Sequence, residues 1–437
     1  MTDQIPYIEQ NRANFWIIIG IYISIFINSY VFFTEPFEFY IGYIIYIIML
    51  PGFVFRFGFN KNLFFIFLIL FMVGFTHVFI GNNTSAQFFK VYIGLFLSYL
   101  FYYYVVLELD YDIEQLFKWY LKGAYIASLL GVFQFICFQL GYSLGYRFFY
   151  IFNKWGFVPG GNFGIRINSI FSEPTYLAAV LSAAFFVAVY DLFKKDKFYL
   201  SKIQSLVIIV VYILSFSGLG QLGIFLTFIF IAISFGLVRY IVILVPVVII
   251  SFNYLYNNVN EFKTRFDGSF DLFVENKKFE LGKTHGSSFI LYNNYIVASE
   301  NFKTNFLFGT GVGSHPTAFE KYSIAKDIKV YGFNSNSADA NSMFLRLMSE
   351  TGLFGLGIFF IVMITCYVKR DKNYLSNHWL ISNGILIMIL LNLFRQGHYF
   401  LNGFPFFMML YYFNAVSYKN FIDEQKVIEL KNDVLLT

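Results

Sequence analysis

Residues 88–107 read FFKVYIGLFLSYLFYYYVVL, with Lys90 the one charge in the run. A helix rises about 1.5 Å per residue, so about 20 apolar residues span the hydrocarbon layer of a bilayer. No water reaches that layer, and a helix can pair its backbone N–H and C=O groups within itself. Runs of this kind recur at 15–33, 37–55, 63–80, 116–141, 174–193, 203–217, 220–237, 240–255, 343–368, 376–394 and 400–417. They predict an all-α polytopic membrane protein with about twelve spans.

Composition agrees. Of 437 residues, 58% are hydrophobic, 23% aromatic and 13% charged, against roughly 25% charged in soluble domains. An ordinary cytosolic enzyme, a disordered chain and a collagen-like chain are excluded. Cys137 and Cys366 fall inside apolar runs, as small buried side chains do. Two cysteines are too few for a disulfide framework or a cysteine metal site. A net charge of +5, scattered over loops, gives no reason to expect nucleic acid as a partner.

Lys and Arg collect on cytoplasmic loops. Alternate loops hold Arg56 and Lys61; Lys118 and Lys122; Lys194, Lys195, Lys197 and Lys202; Arg239; Lys369, Arg370 and Lys372; then Lys419. The opposite short loops hold Glu35, Glu38, Lys90 and Arg395. Both termini are therefore expected in the cytoplasm. The polar stretch 1–14 lacks a basic n-region, so 15–33 is expected to stay as the first span of a single membrane domain, 1–437. Two outer segments are too long to be turns. One is 142–173. The other, 256–341, lies between the ninth and tenth spans, is locally charge-balanced and is expected to fold mostly as helix, with an amphipathic helix from Phe289 to Lys303.

Ionisable groups at membrane depth are costly, so their positions point to function. Arg166, Glu173, Arg346, Glu350, Arg395 and His398 all fall at the outer ends of spans. In Arg166-Ile-Asn-Ser-Ile-Phe-Ser-Glu173-Pro174, the carboxylate either suits the first turn of the sixth span or belongs to a site. Arg166 is either an interfacial residue or an anion clamp, because guanidinium matches phosphate and diphosphate. Gly309-Thr-Gly311-Val-Gly313 is a plain turn or a row of N–H groups open to an anion. His315, before Pro316, is expected on an exposed loop. In the run 339–350, Arg346 and Glu350 share a helix face at i,i+4 and predict an ion pair, while Asn341 or Ser342 is the expected N-cap. Arg395-Gln-Gly-His398 is an interfacial anchor or part of a polar site. No His pair has metal-ligand spacing, so neither metal nor cofactor is expected.

In this order, the pieces resemble the O-antigen ligase/polymerase superfamily. The likeness is sharpest at 309–355, where the glycine turn is followed by Asn341-Ser342 and by Glu350-Thr-Gly352-Leu-Phe-Gly355. The resemblance implies a GT-C-like membrane fold and metal-independent inverting glycosyl transfer at the periplasmic face of a bacterial inner membrane. Donor and acceptor would be undecaprenyl-diphosphate-linked oligosaccharides, with a chain-length regulator as a further partner. It places Arg166, Arg395 and Arg265 on the diphosphate, Glu173, Asp339 and His398 on the acceptor side, and Asn341, Arg346 and His315 among further substrate contacts. Three positions depart from the ligase pattern. Asn341-Ser342 replaces a His-Asn pair, Ser287-Ser288-Phe289 stands where an arginine is usual, and Ser217-Gly218 replaces Ser-Arg. These departures favour an O-antigen polymerase. The rival readings are an O-antigen ligase and, from a different class, a lipid-linked oligosaccharide flippase.

Overall fold

The computed structural model describes residues 5–27, 30–33, 38–147, 157–193, 199–237, 241–258, 260–275, 286–326, 329–330, 333–334, 336–371 and 376–436. The apolar runs fold as α1 (Ile5–Phe26), α2 (Ile41–Phe57), α3 (Lys61–Phe79), α4 (Ser85–Glu108) and α5 (Ile113–Gln139). After the short α6 (Ser143–Arg147) come α7 (Pro174–Phe193), α8 (Lys202–Leu214), α9 (Gly218–Ser234) and α10 (Ile241–Asn258). The expected large insertion holds α11 (Asn260–Phe273), α12 (Gly286–Thr304), α13 (His315–Tyr322) and a two-residue antiparallel pair, β1 (Lys329–Val330) with β2 (Phe333–Asn334). The chain ends with α14 (Met343–Thr365), α15 (His378–Arg395) and α16 (Phe404–Leu436).

Among the described residues, six helices are long and apolar enough to cross a membrane: α3, α4, α5, α7, α14 and α15. Phe15–Phe26 of α1, together with α2, α8 and α9, are apolar but shorter. The count of about twelve full-length spans is therefore not reproduced. The reason is length: the 13 residues of α8 rise only about 20 Å. Runs read from hydropathy also included non-helical ends, since 15–33 stops being helical at Phe26. At the other extreme α16 continues to Leu436, well beyond 417. Glu35, Lys194, Lys195, Lys197, Arg239 and Lys372, used for the topology, lie outside the described residues.

Two helices form the centre. The most apolar windows of α7 and α15 are 83% and 78% buried inside the protein, against 11% for α3 and 28% for α14. In α7, Ala178, Ala179, Ser182, Ala183, Ala184 and Ala188 are all buried. Their small side chains let α15 approach closely: a Cβ on Gly384 would sit 3.1 Å from the Ala183 carbonyl. Close backbone approach through small residues is how membrane helices gain packing energy when burial from lipid yields little.

Two non-helical segments lie against this bundle, and each is paired. Ile167, Asn168, Ser169 and Phe171, just before α7, are fully buried. Gln134 of α5 takes the Asn168 and Ser169 N–H groups on its Oε1 at 3.2 and 2.9 Å and donates to Asn168 Oδ1 at 2.8 Å. The Ser169 hydroxyl donates to the Ala127 carbonyl at 2.6 Å, and the Ile167 N–H reaches the Leu214 carbonyl at 3.1 Å. The second is the break inside α14, where Gly352 has φ 62° and ψ −160°. There the Leu353 and Phe354 N–H groups bond to the Phe306 and Leu307 carbonyls at 2.9 and 3.0 Å, and the Glu350 carbonyl accepts from Gly311 at 2.8 Å. Irregular backbone at this depth survives only when another segment satisfies it.

Gly352 permits both the break and the contact. A Cβ there would lie 2.5 Å from the Gly309 nitrogen, and one on Gly309 would lie 2.4 Å from the Glu350 carbonyl carbon. Gly352→Ala puts a side chain on a backbone conformation open essentially to glycine alone, at a cost of about 1–3 kcal/mol, in addition to that overlap. Its expected outcome is a melting temperature several degrees lower in detergent and faster protease cleavage within 286–326. Wild-type values for both would remove the clamp from the stability of the fold.

Candidate active site

Arg346 and Glu350 sit one turn apart on α14, both almost completely buried. The predicted ion pair is present, with Arg346 Nε 3.0 Å from Glu350 Oε1. The other carboxylate oxygen accepts the Gly313 N–H at 2.9 Å, and the His315 N–H approaches Oε1 at 3.4 Å. The glycine turn is thus not an open anion nest. Gly309, Gly311 and Gly313 donate to the Asn305 carbonyl, the Glu350 carbonyl and the Glu350 carboxylate, so the anion it binds is the protein's own. Arg346 also donates to the Gly397 carbonyl at 2.7 Å and lies 4.2 Å from the centre of the Tyr399 ring.

His315 is not exposed, as the sequence suggested, but fully buried. Asn294 of α12 places its Oδ1 3.0 Å from His315 Nε2, an arrangement that puts the proton on Nε2. Nδ1 is buried with no hydrogen-bond partner. Burial pushes the imidazole down to about 3, the Arg346 guanidinium adds to the shift, and the Asp339 carboxylate opposes it.

Asp339 and His398 come together from opposite sides of the site, with His398 Nε2 3.1 Å from Asp339 Oδ2. The second Asp339 oxygen takes the Asn341 N–H at 3.0 Å. Burial alone would raise this carboxyl, but His398, the Asn341 N–H and Arg346 together hold it below the usual carboxylate value. Ala340 and Asn341 both have positive φ, 56° and 55°, a strained turn of the kind that clusters at functional sites. Ser342 then caps α14, accepting from the Leu345 N–H at 3.3 Å and donating to the Leu393 carbonyl at 2.7 Å. Gly397 lies so close that a Cβ would overlap the Asp339 carbonyl oxygen at 1.5 Å.

Tyr176, in the first turn of α7, connects the remaining acidic groups. Its ring meets His398 edge-on, centroids 6.2 Å apart. The carboxylates of Glu173, Asp339 and Glu38 all act on its hydroxyl electrostatically. Glu173 accepts from the Thr175 hydroxyl at 2.8 Å. Glu38 accepts from the Tyr40 hydroxyl and lies 3.5 Å from Lys90 Nζ. Tyr176, Glu38, Lys90 and Gly397 were not singled out as site residues from the sequence, because nothing in their spacing brings α2, α4, α7 and the 396–403 connection together. Among the described residues, no three His, Cys, Asp or Glu side chains are gathered to hold a metal ion.

The three arginines have other surroundings. Arg395 closes α15 and donates to the Ser287 carbonyl at 3.3 Å. Arg166 is half-buried on the segment leading to α7, its N–H bonded to the Val158 carbonyl at 3.0 Å. Arg265 is on α11, and its side chain lies outside the described residues.

The family model described as O-antigen ligase matches residues 203–360. The superfamily resemblance is therefore supported directly. The matched stretch runs from α8 through the broken α14 and contains the glycine turn, His315, Asp339, Arg346 and Glu350. No curated protein matches this chain. Apolar helices of membrane-crossing length and this match together describe an integral membrane protein similar to enzymes of glycosyltransferase type that assemble surface polysaccharide.

The buried His315 sets a pH dependence. An unfolded histidine takes a proton near pH 6.5, whereas the folded one resists until about pH 3. Between those values the unfolded state binds more protons, so stability falls on acidification by up to about 1.4 kcal/mol per pH unit. Melting curves in detergent at pH 7.5 and pH 5 are expected to separate less for His315→Gln than for wild type. Equal separations would mean that His315 carries a charge in the folded protein.

Proposed function

We propose that this protein is an O-antigen polymerase, or the polymerase of a related surface polysaccharide, acting on undecaprenyl-diphosphate-linked repeat units at the periplasmic face of a bacterial inner membrane. The observation that carries this reading is the Asp339–His398 pair at 3.1 Å, beside Glu173 and Tyr176 and next to the segment that resembles the superfamily. With Nε2 hydrogen-bonded to the carboxylate, His398 presents Nδ1 as a proton acceptor. The acceptor hydroxyl passes its proton to that nitrogen and attacks the anomeric carbon with inversion. The anomeric C–O bond breaks, and its electron pair leaves on the diphosphate. Asp339 holds the imidazole in one orientation and stabilises the imidazolium, as a buried carboxylate does in other acid–base pairs.

Fixed cations must meet the charge that develops on the diphosphate. Arg395 is the first choice because its guanidinium lies at Ser287, the region where the ligase pattern has an arginine of its own. Arg166 and Arg265 remain further candidates. Arg346 is committed to Glu350, the Gly397 carbonyl and Tyr399, so in this reading Arg346 and His315 support the site from behind. Asn341 fixes Asp339 through its N–H. Glu173 and Tyr176 then line the acceptor side.

The O-antigen ligase reading is the alternative, favoured by the description of the matching family. A glycan ladder from a deletion strain separates the two. Collapse to core plus a single repeat is expected for a polymerase, whereas full-length glycan left on its lipid carrier would identify a ligase. An unchanged ladder would sink both.

Two variant series test the residues. Asp339→Asn and His398→Gln are each expected to cut polymer formation by about 10²–10⁴-fold, the usual contribution of a positioned acid–base group, and the double variant to cost little more than either alone. Additive losses would show that the two do not act as a unit. Arg395→Lys is expected to lose most activity while keeping charge, because the planar fork matches phosphate oxygens and ammonium does not. Wild-type polymer from Arg395→Ala at normal protein level would remove it from the diphosphate site.

A further inference from the structure

Fifteen residues of α7 separate Tyr176 from Asp191, about 22 Å along the helix. At that remote end, the starts of α5 and α8 and the residues after α7 enclose a half-open cavity of about 360 Å³. This lies within the usual ligand-site range of roughly 300–1,000 Å³. Leu121, Ile126 and Leu200 supply apolar wall, while Lys118, Lys122 and Gln204 supply the polar part. Lys118 is held 2.9 Å from Glu114, both partners half exposed. Lys122 is exposed and has no ion-pair partner among the described residues. Gln204 spends its side-chain oxygen on the Ser201 N–H at 2.9 Å, which leaves its amide N–H groups as donors. Lys202, at the start of α8, adds a further positive charge on the same side.

A cavity with apolar walls and, at its mouth, an ammonium without an ion-pair partner among the described residues fits one class of ligand in a membrane. We propose that it binds the phosphate of an acidic phospholipid, such as phosphatidylglycerol, from the cytoplasmic leaflet. The phosphate sits between Lys122, Lys118 and the Gln204 amide, with the first carbons of an acyl chain against Leu121 and Ile126. The long lysine stems lie along apolar surface and keep their charges at headgroup level. The site joins α5 to α8 and to Tyr199 and Leu200 just before it, and the same two helices hold the segment before α7 through Gln134, Ala127 and Leu214. It draws on the topology proposed above only for the choice of leaflet, and it does not depend on the reaction.

The test uses full-length protein in detergent and in nanodiscs, with phosphatidylglycerol and phosphatidylethanolamine as probes and native mass spectrometry as the readout. One phosphatidylglycerol is expected to remain through delipidation in preference to phosphatidylethanolamine. A lysine near an acidic surface is worth about fivefold in affinity, so Lys122→Gln should weaken retention by about fivefold, and Lys122→Arg should restore it. Ile126→Trp, which fills the cavity without changing charge, should also abolish the preference if the headgroup enters it. Equal retention of the two lipids by wild type would overturn the proposal, as would undiminished retention by Lys122→Gln. Displacement of the lipid by millimolar inorganic phosphate would also overturn it, by assigning the cavity to a free anion. Glycan polymerisation can fail or succeed without altering any of these outcomes.

Discussion

A carboxylate buried within an apolar helix must be matched by donors, because its desolvation costs several kcal/mol. Glu350 is matched by Arg346 on its own helix and by the Gly313 N–H from a segment 37 residues earlier. Two residues further on, Gly352 breaks α14 and frees backbone groups that would also be unpaired in lipid. The same segment, 305–313, satisfies these. The carboxylate and the break thus draw the end of the large insertion down onto the bundle. Where the chain continues, His315 is buried, Asn294 is fixed against it, and α12 is packed along α14.

The site forms beside this clamp. Arg346 reaches from Glu350 to the Gly397 carbonyl, and so links the broken helix to the connection that carries His398. Gly397 in turn has no space for a side chain, because the Asp339 carbonyl occupies it. The result is a two-layer arrangement. The lower layer, Glu350, Arg346 and His315, is buried and largely self-satisfied. The upper layer, Asp339, His398, Glu173 and Tyr176, is more open and still has acceptor capacity. Strain at Ala340 and Asn341 is stored between the two, where the chain must turn to place Asp339.

The same constraint explains the segment before α7. Its backbone leaves helical geometry while fully buried, and Gln134 supplies what a helix would have supplied. The chain then passes through Glu173 into α7, whose small residues build the bundle core. Towards the far end of α7, residues of α5 and α8 with Tyr199 and Leu200 line the lysine-rimmed cavity.

The helical membrane class and the Arg346–Glu350 pair could both be read from the sequence, because each depends on local spacing. Length of apolar run decides membrane-crossing helix, and i,i+4 separation decides a pair on one face. The number of full-length spans could not, since hydropathy does not reveal where helices such as α1 and α8 stop. The sequence left the glycine turn open between a plain turn and an anion nest, and expected His315 on an exposed loop. The open nest is not realised and the exposure expectation failed for one reason: a neighbouring element supplied the partner, Glu350 in the first case and Asn294 in the second. Asp339 and His398 were separately chosen for their chemistry, but their contact spans 59 residues of sequence and rests on α14 packing against α15. Tyr176, Glu38 and Lys90 carry no local signal at all. Long-range packing alone brings them to the site, and packing is a property of the folded chain.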